Sequence, residues 1–157
     1  MTATRRPRRL ARIFTGAALA VGALLGAAAA PAAAYDPNPD AAVTYRQAAG
    51  GSVGADVALT QGGSRLGEVE FQPETQQLRV YDTRNDGDTF YVHVSSTTNG
   101  VTHNLGTYSA PGSEAPVDFL VKDFHLAKGT PLDIEVFDDA GLTDYIGGAR
   151  GTGAAIA

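Results

Sequence analysis

Apolar residues recur at every second position along most of the chain after residue 43, and no long segment shows them at helical spacing. Successive side chains of a strand point to opposite faces, so this alternation predicts half-buried strands. Gly-containing pairs such as Gly62-Gly63 and Asn99-Gly100 separate the runs and predict tight turns. The pattern therefore predicts an all-β fold, a single antiparallel sandwich or barrel. The alternating rows are Val57/Leu59, Val69/Phe71, Leu78/Val80, Phe90/Val92/Val94, Val117/Phe119/Val121 and Leu132/Ile134/Val136.

Residues 1–34 have a different composition from the rest. They carry five Arg and no acidic residue, and residues 13–30 form an uncharged run. Ala32 and Ala34 are small residues at the spacing that a signal peptidase accepts. We expect a signal peptide over 1–34 that is cleaved after Ala34, and a secreted, extracellular protein. An uncleaved membrane anchor over 13–34 is the alternative interpretation.

The charge of the remaining chain limits its partners. Residues 35–157 hold seven Lys and Arg against seventeen Asp and Glu, a net charge of −10. Such an acidic body lacks the attraction for phosphates on which nucleic-acid binding depends. The absence of Cys excludes disulfides, zinc ribbons and iron–sulfur clusters. We expect a flexible leader over 35–42, one monomeric β-sandwich domain over 43–147, a flexible tail over 148–157, and no membrane insertion after cleavage.

One hairpin can be predicted in register. Segments 78–83 and 88–95 flank Asn85-Asp86-Gly87, and a three-residue loop with Gly87 in the left-handed conformation keeps both apolar rows on one face. This register predicts Val80 opposite Val92 and Leu78 opposite Val94. It also predicts an outer face that carries a binding patch of Tyr81, Tyr91, Arg79 and His93. Cross-strand aromatic pairs also stabilise sheets, so a purely structural role is the alternative.

The last third of the chain resembles part of the immunoglobulin-like sandwiches. A strand over 117–121 precedes the corner 126–129, which leads to a strand over 130–137 and, after the turn 138–141, to a strand over 142–146. This order is similar to the E–F corner and F–G hairpin of that fold. The resemblance implies an immunoglobulin-like topology for the single antiparallel β-sandwich.

A second resemblance involves the predicted hairpin. Glu70-Phe71, the run Leu78-x-Val80-x-Asp82-x-x-x-Asp86-Gly87, and Val92-x-Val94 resemble segments of small secreted actinobacterial proteins, which combine an Arg-rich signal with one β-sandwich. The function of that group is largely unassigned. The resemblance therefore implies a compartment and a fold, and no activity.

The acidic segment 82–88 is the one weak candidate for a metal site. Calcium binds six to eight oxygen ligands, and Asp82, Asp86 and Asp88 offer carboxylates. In the EF-hand pattern counted from Asp82, Arg84 and His93 fall on ligand positions, so that pattern fails. A looser calcium site that adds Asp138, Asp139 or Asp144 is possible, but Asp is also favoured in turns. We commit to no metal and no cofactor.

No catalytic motif is found. The segment around Ser64 lacks the second Gly of a nucleophile elbow, and no phosphate-binding Gly-Lys loop occurs. We therefore expect a secreted non-catalytic protein that binds an extracellular protein or a cell-envelope component. A secreted inhibitor of an extracellular hydrolase, a calcium-stabilised extracellular module and a small hydrolase are the alternatives.

Overall fold

The computed structural model describes residues 35, 37–84, 86–112, 116–150 and 155–157. The predicted signal peptide lies outside these described residues, as does Asn85 of the predicted loop. Apart from one 3-10 turn at Ala49–Gly51, the regular structure consists of strands. The strands are β1 (Asp40–Gln47), β2 (Val53–Gln61), β3 (Ser64–Gln72), β4 (Gln77–Asp82), β5 (Tyr91–Thr98), β6 (Val101–Tyr108), β7 (Asp118–Asp123), β8 (Pro131–Phe137), β9 (Tyr145–Ala149) and β10 (Ala155–Ile156).

All strand pairs are antiparallel, and the strands form one curled sheet with the shape of a half-barrel. Its order is β6-β5-β8-β10-β2-β3-β4-β7, with β1 also beside β2 and β9 also beside β8. The prediction of an antiparallel all-β fold is confirmed. β6 and β7 are the two ends of this order, so each has a described strand on one side only.

The core lies on the inner face of the curled sheet. Alternate residues of β2, β3, β4, β5 and β8 are fully buried there, as the alternation predicted. Because each buried side chain of this size contributes about 1.5–3 kcal/mol, this layer supplies the main stabilisation of the fold. The largest fully buried side chains are Phe71, Phe90, Leu59, Leu66, Leu78, Leu132 and Ile134.

Two hairpins have tight turns at the Gly-containing pairs where the sequence predicted turns, and the structure shows that each turn has two residues. Gln61 pairs with Ser64 across Gly62 and Gly63, whose φ angles are 59° and 81°. Thr98 pairs with Val101 across Asn99 and Gly100, at φ angles of 53° and 76°. Positive φ at both central residues matches the twist of the flanking strands, which is why Gly and Asn occupy these positions.

The predicted hairpin between 78–83 and 88–95 is wrong. β4 pairs with β3 and β7, whereas β5 pairs with β6 and β8, so Val80 lies opposite Leu120 and Val92 lies opposite Val136 and Tyr108. Gly87 does adopt a positive φ of 80°. The intervening segment, however, leads from one half of the sheet to the other, because both edges of each strand are already occupied.

Strand pairing extends on both sides of the predicted domain 43–147. Asp40, placed in the leader, begins β1 and pairs with Thr60. Ala155 and Ile156, placed in the tail, form β10, which joins β8 to β2. The amide of Ala157 donates to the carbonyl of Thr130 at 3.0 Å. Backbone pairing across the sheet therefore includes residues at both ends of the described chain.

Candidate binding surface

The four residues of the predicted patch lie on two separate parts of the outer face. Arg79 and Tyr81 belong to β4, whereas Tyr91 and His93 belong to β5. β8, β10, β2 and β3 separate these strands in the sheet order. The structure therefore does not bring the two pairs together, because the hairpin that would have done so does not form. A binding role for these residues stays a prediction, and it now concerns two surfaces.

β7 turns its large apolar side chains away from the core. Phe119 is 63 % exposed and Val121 is 46 % exposed, and Val117 just before the strand is 51 % exposed. Tyr81 of β4 lies directly opposite Phe119 and shares its face. We call these four residues the β7 surface. Contiguous exposed apolar residues of this kind are typical of interaction sites.

The alternation in β7 is inverted relative to the core strands. Asp118 is buried and Leu120 packs against the core, while Phe119 and Val121 face outward. Lys122 shares the inner side by alternation and has its ammonium 5.9 Å from the ring centre of Tyr108. The sequence correctly predicted a strand with one apolar row here. Charged residues also alternate with the buried row of β3, where Glu68 and Glu70 flank Val69, so the local pattern did not distinguish the exposed row of β7 from a core row.

Polar contacts border the β7 surface. Arg79 lies opposite Val121, and one of its guanidinium nitrogens is 3.8 Å from the Glu70 carboxylate. The side-chain amide of Gln77 donates to the Asp123 carboxylate at 2.9 Å. An apolar centre with a polar rim is the usual anatomy of a protein-binding surface.

The β5 part of the predicted patch forms contacts within the molecule. Tyr91 lies opposite Phe137, whose ring meets that of Tyr145 edge to face at 5.6 Å. The Arg150 guanidinium lies 4.4 Å from the Tyr145 ring centre and is 2.8 Å from the Glu135 carboxylate. The side chains of Phe137, Tyr145 and Arg150 next to Tyr91 already contact one another, so this surface has less to gain from a ligand than the β7 surface has.

The polar side chain next to these rings is His93. Its Nδ1 lies 3.5 Å from Glu135, on the same face of the sheet. Glu135 therefore stands between His93 and Arg150, and an incoming partner would have to compete for a carboxylate that is already engaged.

The acidic segment 82–88 has the turn geometry that was the alternative to a calcium site. Asp82 Oδ1 accepts a hydrogen bond from the Arg84 amide at 3.0 Å, and Asp86 Oδ1 accepts one from the Asp88 amide at 3.1 Å. Bonds from a side chain to the backbone two residues later define Asx turns. Within the described part of the chain, no three His, Asp or Glu side chains are placed to hold a metal ion.

A buried acidic cluster lies beside these turns, and sequence reasoning did not single it out. Tyr35, Asp82 and Asp138 are each at least 95 % buried. The pKa of Asp138 is raised to about 6, mainly by burial and to a smaller extent by Asp144, Asp88 and Asp139, while the Tyr35 amide opposes the shift. Burial also raises the pKa of Asp82, against the hydrogen bond from Arg84. No pattern in the sequence distinguishes these acids from the exposed Asp residues of neighbouring turns.

Searches for similarity to protein-family models, curated proteins and solved structures found no match. Among the described residues, no helix has the length and apolar character needed to cross a membrane.

Proposed function

We propose that the chain is an exported, non-catalytic interaction module that binds a partner protein through the β7 surface. The observation that carries the proposal is the inverted strand, which exposes Phe119 and Val121 while it buries Asp118. Exposing a large aromatic side chain forgoes the stabilisation that burial would give, so a binding partner is the physical reason we assign to it.

The position of β7 indicates how a partner binds. β7 is the last strand in the sheet order, and one of its edges has no described neighbour. Such an edge can accept an added strand through backbone hydrogen bonds. An extended segment that pairs antiparallel with β7 would place every second side chain beside Phe119 and Val121. We therefore propose a partner segment that is extended and apolar at alternate positions.

Charge argues for a different protein as the partner rather than a second copy. Residues 35–157 carry a net charge of −10, and two such bodies repel each other. The same field accelerates the approach of a basic protein, because complementary charge mainly raises association rates. We propose that the partner is a basic protein outside the cell or at its envelope.

The immunoglobulin-like topology and the membership of a bacterial protein group stay predictions. The strand β7, the corner after it and the β8–β9 hairpin support an immunoglobulin-like topology. Membership of the group of small secreted actinobacterial proteins stays a proposal that rests on the sequence resemblance alone. The proposed binding surface depends on neither assignment.

Two double variants of the exported, tagged protein test the proposal. Phe119→Ser/Val121→Ser removes the apolar row of β7, and Tyr91→Ser/His93→Ser alters two outer-face residues of β5. In pull-downs from the culture supernatant of the producing cell, we expect the first variant to lose the partner at least ~10-fold and the second to retain it. Equal recovery by both variants would refute the β7 surface as the binding site.

A further inference from the structure

Four buried side-chain polar atoms lack a hydrogen-bond partner among the described residues. They are the hydroxyl of Tyr35, Oδ2 of Asp82, and both carboxylate oxygens of Asp138. Buried polar groups are nearly always satisfied, and a buried carboxylate in particular needs a positive partner. These unpartnered atoms are concentrated in three residues, so a cation that reached this place would be strongly stabilised there.

The segment that begins at Tyr35 lies against the turn that carries Asp138. The side-chain amide of Asn38 donates to the Asp144 carboxylate at 2.6 Å. In agreement with this placement, Asp82 raises the pKa of the Tyr35 hydroxyl and the Tyr35 backbone N–H lowers the pKa of Asp138. Tyr35 is 95 % buried and belongs to the core cluster. Asp138 is held in place because its own amide donates to the Asp144 carbonyl at 2.8 Å.

The surroundings favour a cation. Asp82, Asp86 and Asp88 all act on Tyr35 electrostatically, and Arg84 is the one cation among the described residues that opposes them. Asp144, Asp88 and Asp139 act on Asp138 in the same sense. No ion pair formed by the described residues includes Asp138.

We propose that signal-peptide cleavage after Ala34 supplies this cation: the new α-ammonium group of Tyr35 forms a buried ion pair with Asp138. Water hydrolyses the Ala34–Tyr35 peptide bond, so that Ala34 gains a carboxylate and Tyr35 a free amine, which takes up a proton. The Tyr35 nitrogen, a neutral amide in the uncleaved chain, thereby gains a charge and additional N–H donors for Asp138. Export and folding are coupled, because only the processed chain gives Asp138 a positively charged partner.

This inference goes beyond the proposed function and rests on its export component alone. A calcium ion would be the other cation for the cluster, but no three carboxylates of the described residues are placed to hold one. An α-ammonium needs only one carboxylate and hydrogen-bond acceptors, which Asp138 provides. The β7 surface plays no part in the argument.

The first test is the N-terminus of the exported protein, determined by mass spectrometry. We expect Tyr35 as the first residue, and any other first residue would overturn the proposal. The pull-down with the β7 variants is independent of this result. Failure of one proposal can therefore be recognised without failure of the other.

The second test compares the exported chain that begins at Tyr35 with a chain that begins one residue earlier, at Ala34. We expect the melting temperature to be at least ~3 °C higher for the Tyr35 chain at pH 7. Asp138→Asn should lower the melting temperature of the Tyr35 chain and raise that of the Ala34 chain, because in the latter it removes an unpaired buried acid. The same sign in both chains would contradict the ion pair.

A titration of the α-amino group of Tyr35 tests the ion pair directly and does not depend on a measurement of stability. An ammonium beside a carboxylate has a raised pKa, so the α-amino pKa of the Tyr35 chain, measured by NMR, should lie well above the ordinary value of about 8. Asp138→Asn should abolish that rise, and the exposed control Asp40→Asn should preserve it. An ordinary α-amino pKa, or a melting temperature that depends on millimolar calcium or EDTA, would overturn the proposal.

The pH dependence has a definite sign. A group whose pKa is raised in the folded state stabilises the fold below its unfolded pKa and loses that contribution as the pH rises through the folded pKa. The advantage of the Tyr35 chain over the Ala34 chain should therefore be present at pH 7 and vanish in strongly alkaline solution. An advantage that is the same at both pH values would indicate packing of the first residue instead of an ion pair.

Discussion

Phe119 of β7 lies directly opposite Tyr81 of β4 on the outer face of the sheet, where 63 % of Phe119 is exposed. Next to this pair, Val121 lies opposite Arg79, so two aromatic rings and one aliphatic side chain form a continuous surface at the end of the sheet. An edge strand with such a surface is able to accept another strand. The pair thus connects the strand order with the proposed binding role.

The same truncation at two Phe residues should have very different effects on stability. Phe119→Ala removes a side chain that contributes little burial, so we expect the free energy of unfolding to change by no more than about 0.5 kcal/mol. Phe71→Ala, the matched change in the core, should lower it by about 3–5 kcal/mol. Urea unfolding of both variants measures the difference. A loss of more than about 2 kcal/mol for Phe119→Ala would mean that this side chain is part of the core.

Gly67 is required by close packing. A Cβ at this position would lie 2.4 Å from the Phe90 ring and 2.5 Å from the Tyr81 carbonyl oxygen. We expect Gly67→Ala to destabilise the fold by about 1–3 kcal/mol, since the core must shift to admit the methyl group. Gly112→Ala is the matched control, because its nearest neighbour would be 3.4 Å away. Thermal unfolding that gives equal midpoints for the two variants would show that β3 and Phe90 do not pack in this way.

The unprocessed chain should lose stability as the pH rises from 4 to 7. Asp138 has a folded pKa of about 6 against an ordinary value of 3.8, so the folded state binds more protons than the unfolded state across this window. The free energy of unfolding should be lower at pH 7 than at pH 4 by up to about 3 kcal/mol. In the Asp138→Asn variant, the urea concentration at the unfolding midpoint should depend less on pH. A parent chain that is as stable at pH 7 as at pH 4 would disprove the unpaired state of this carboxyl.

The strands could be predicted from the sequence because alternation and Gly turns act locally. Val57, Val69 and Val80 are buried as their spacing indicates, and the Gly62-Gly63 turn joins β2 to β3. Strand partners are a non-local property. The segment after Asp82 has the residues of a hairpin loop, yet β3 and β7 occupy both edges of β4 and exclude β5.

The spatial neighbours of the candidate site residues also depend on non-local pairing and could not be predicted from the sequence. Arg79 and Tyr81 were correctly placed on one face, but their neighbours Phe119 and Val121 could not be identified without the β4–β7 pairing. Tyr35 and Asp138 are more than one hundred positions apart in the chain. Their proximity follows from how the ends of the chain join the sheet, which no local pattern encodes.

Site-specific photo-crosslinking tests the central claim most directly. The photoreactive residue p-benzoylphenylalanine replaces Phe119 in one exported variant and Tyr91 in a matched control, and both are irradiated in the supernatant of the producing cell. We predict a covalent adduct with a single different protein from position 119 and none from position 91. No adduct at position 119, or an adduct of twice the mass of this chain, would contradict the account.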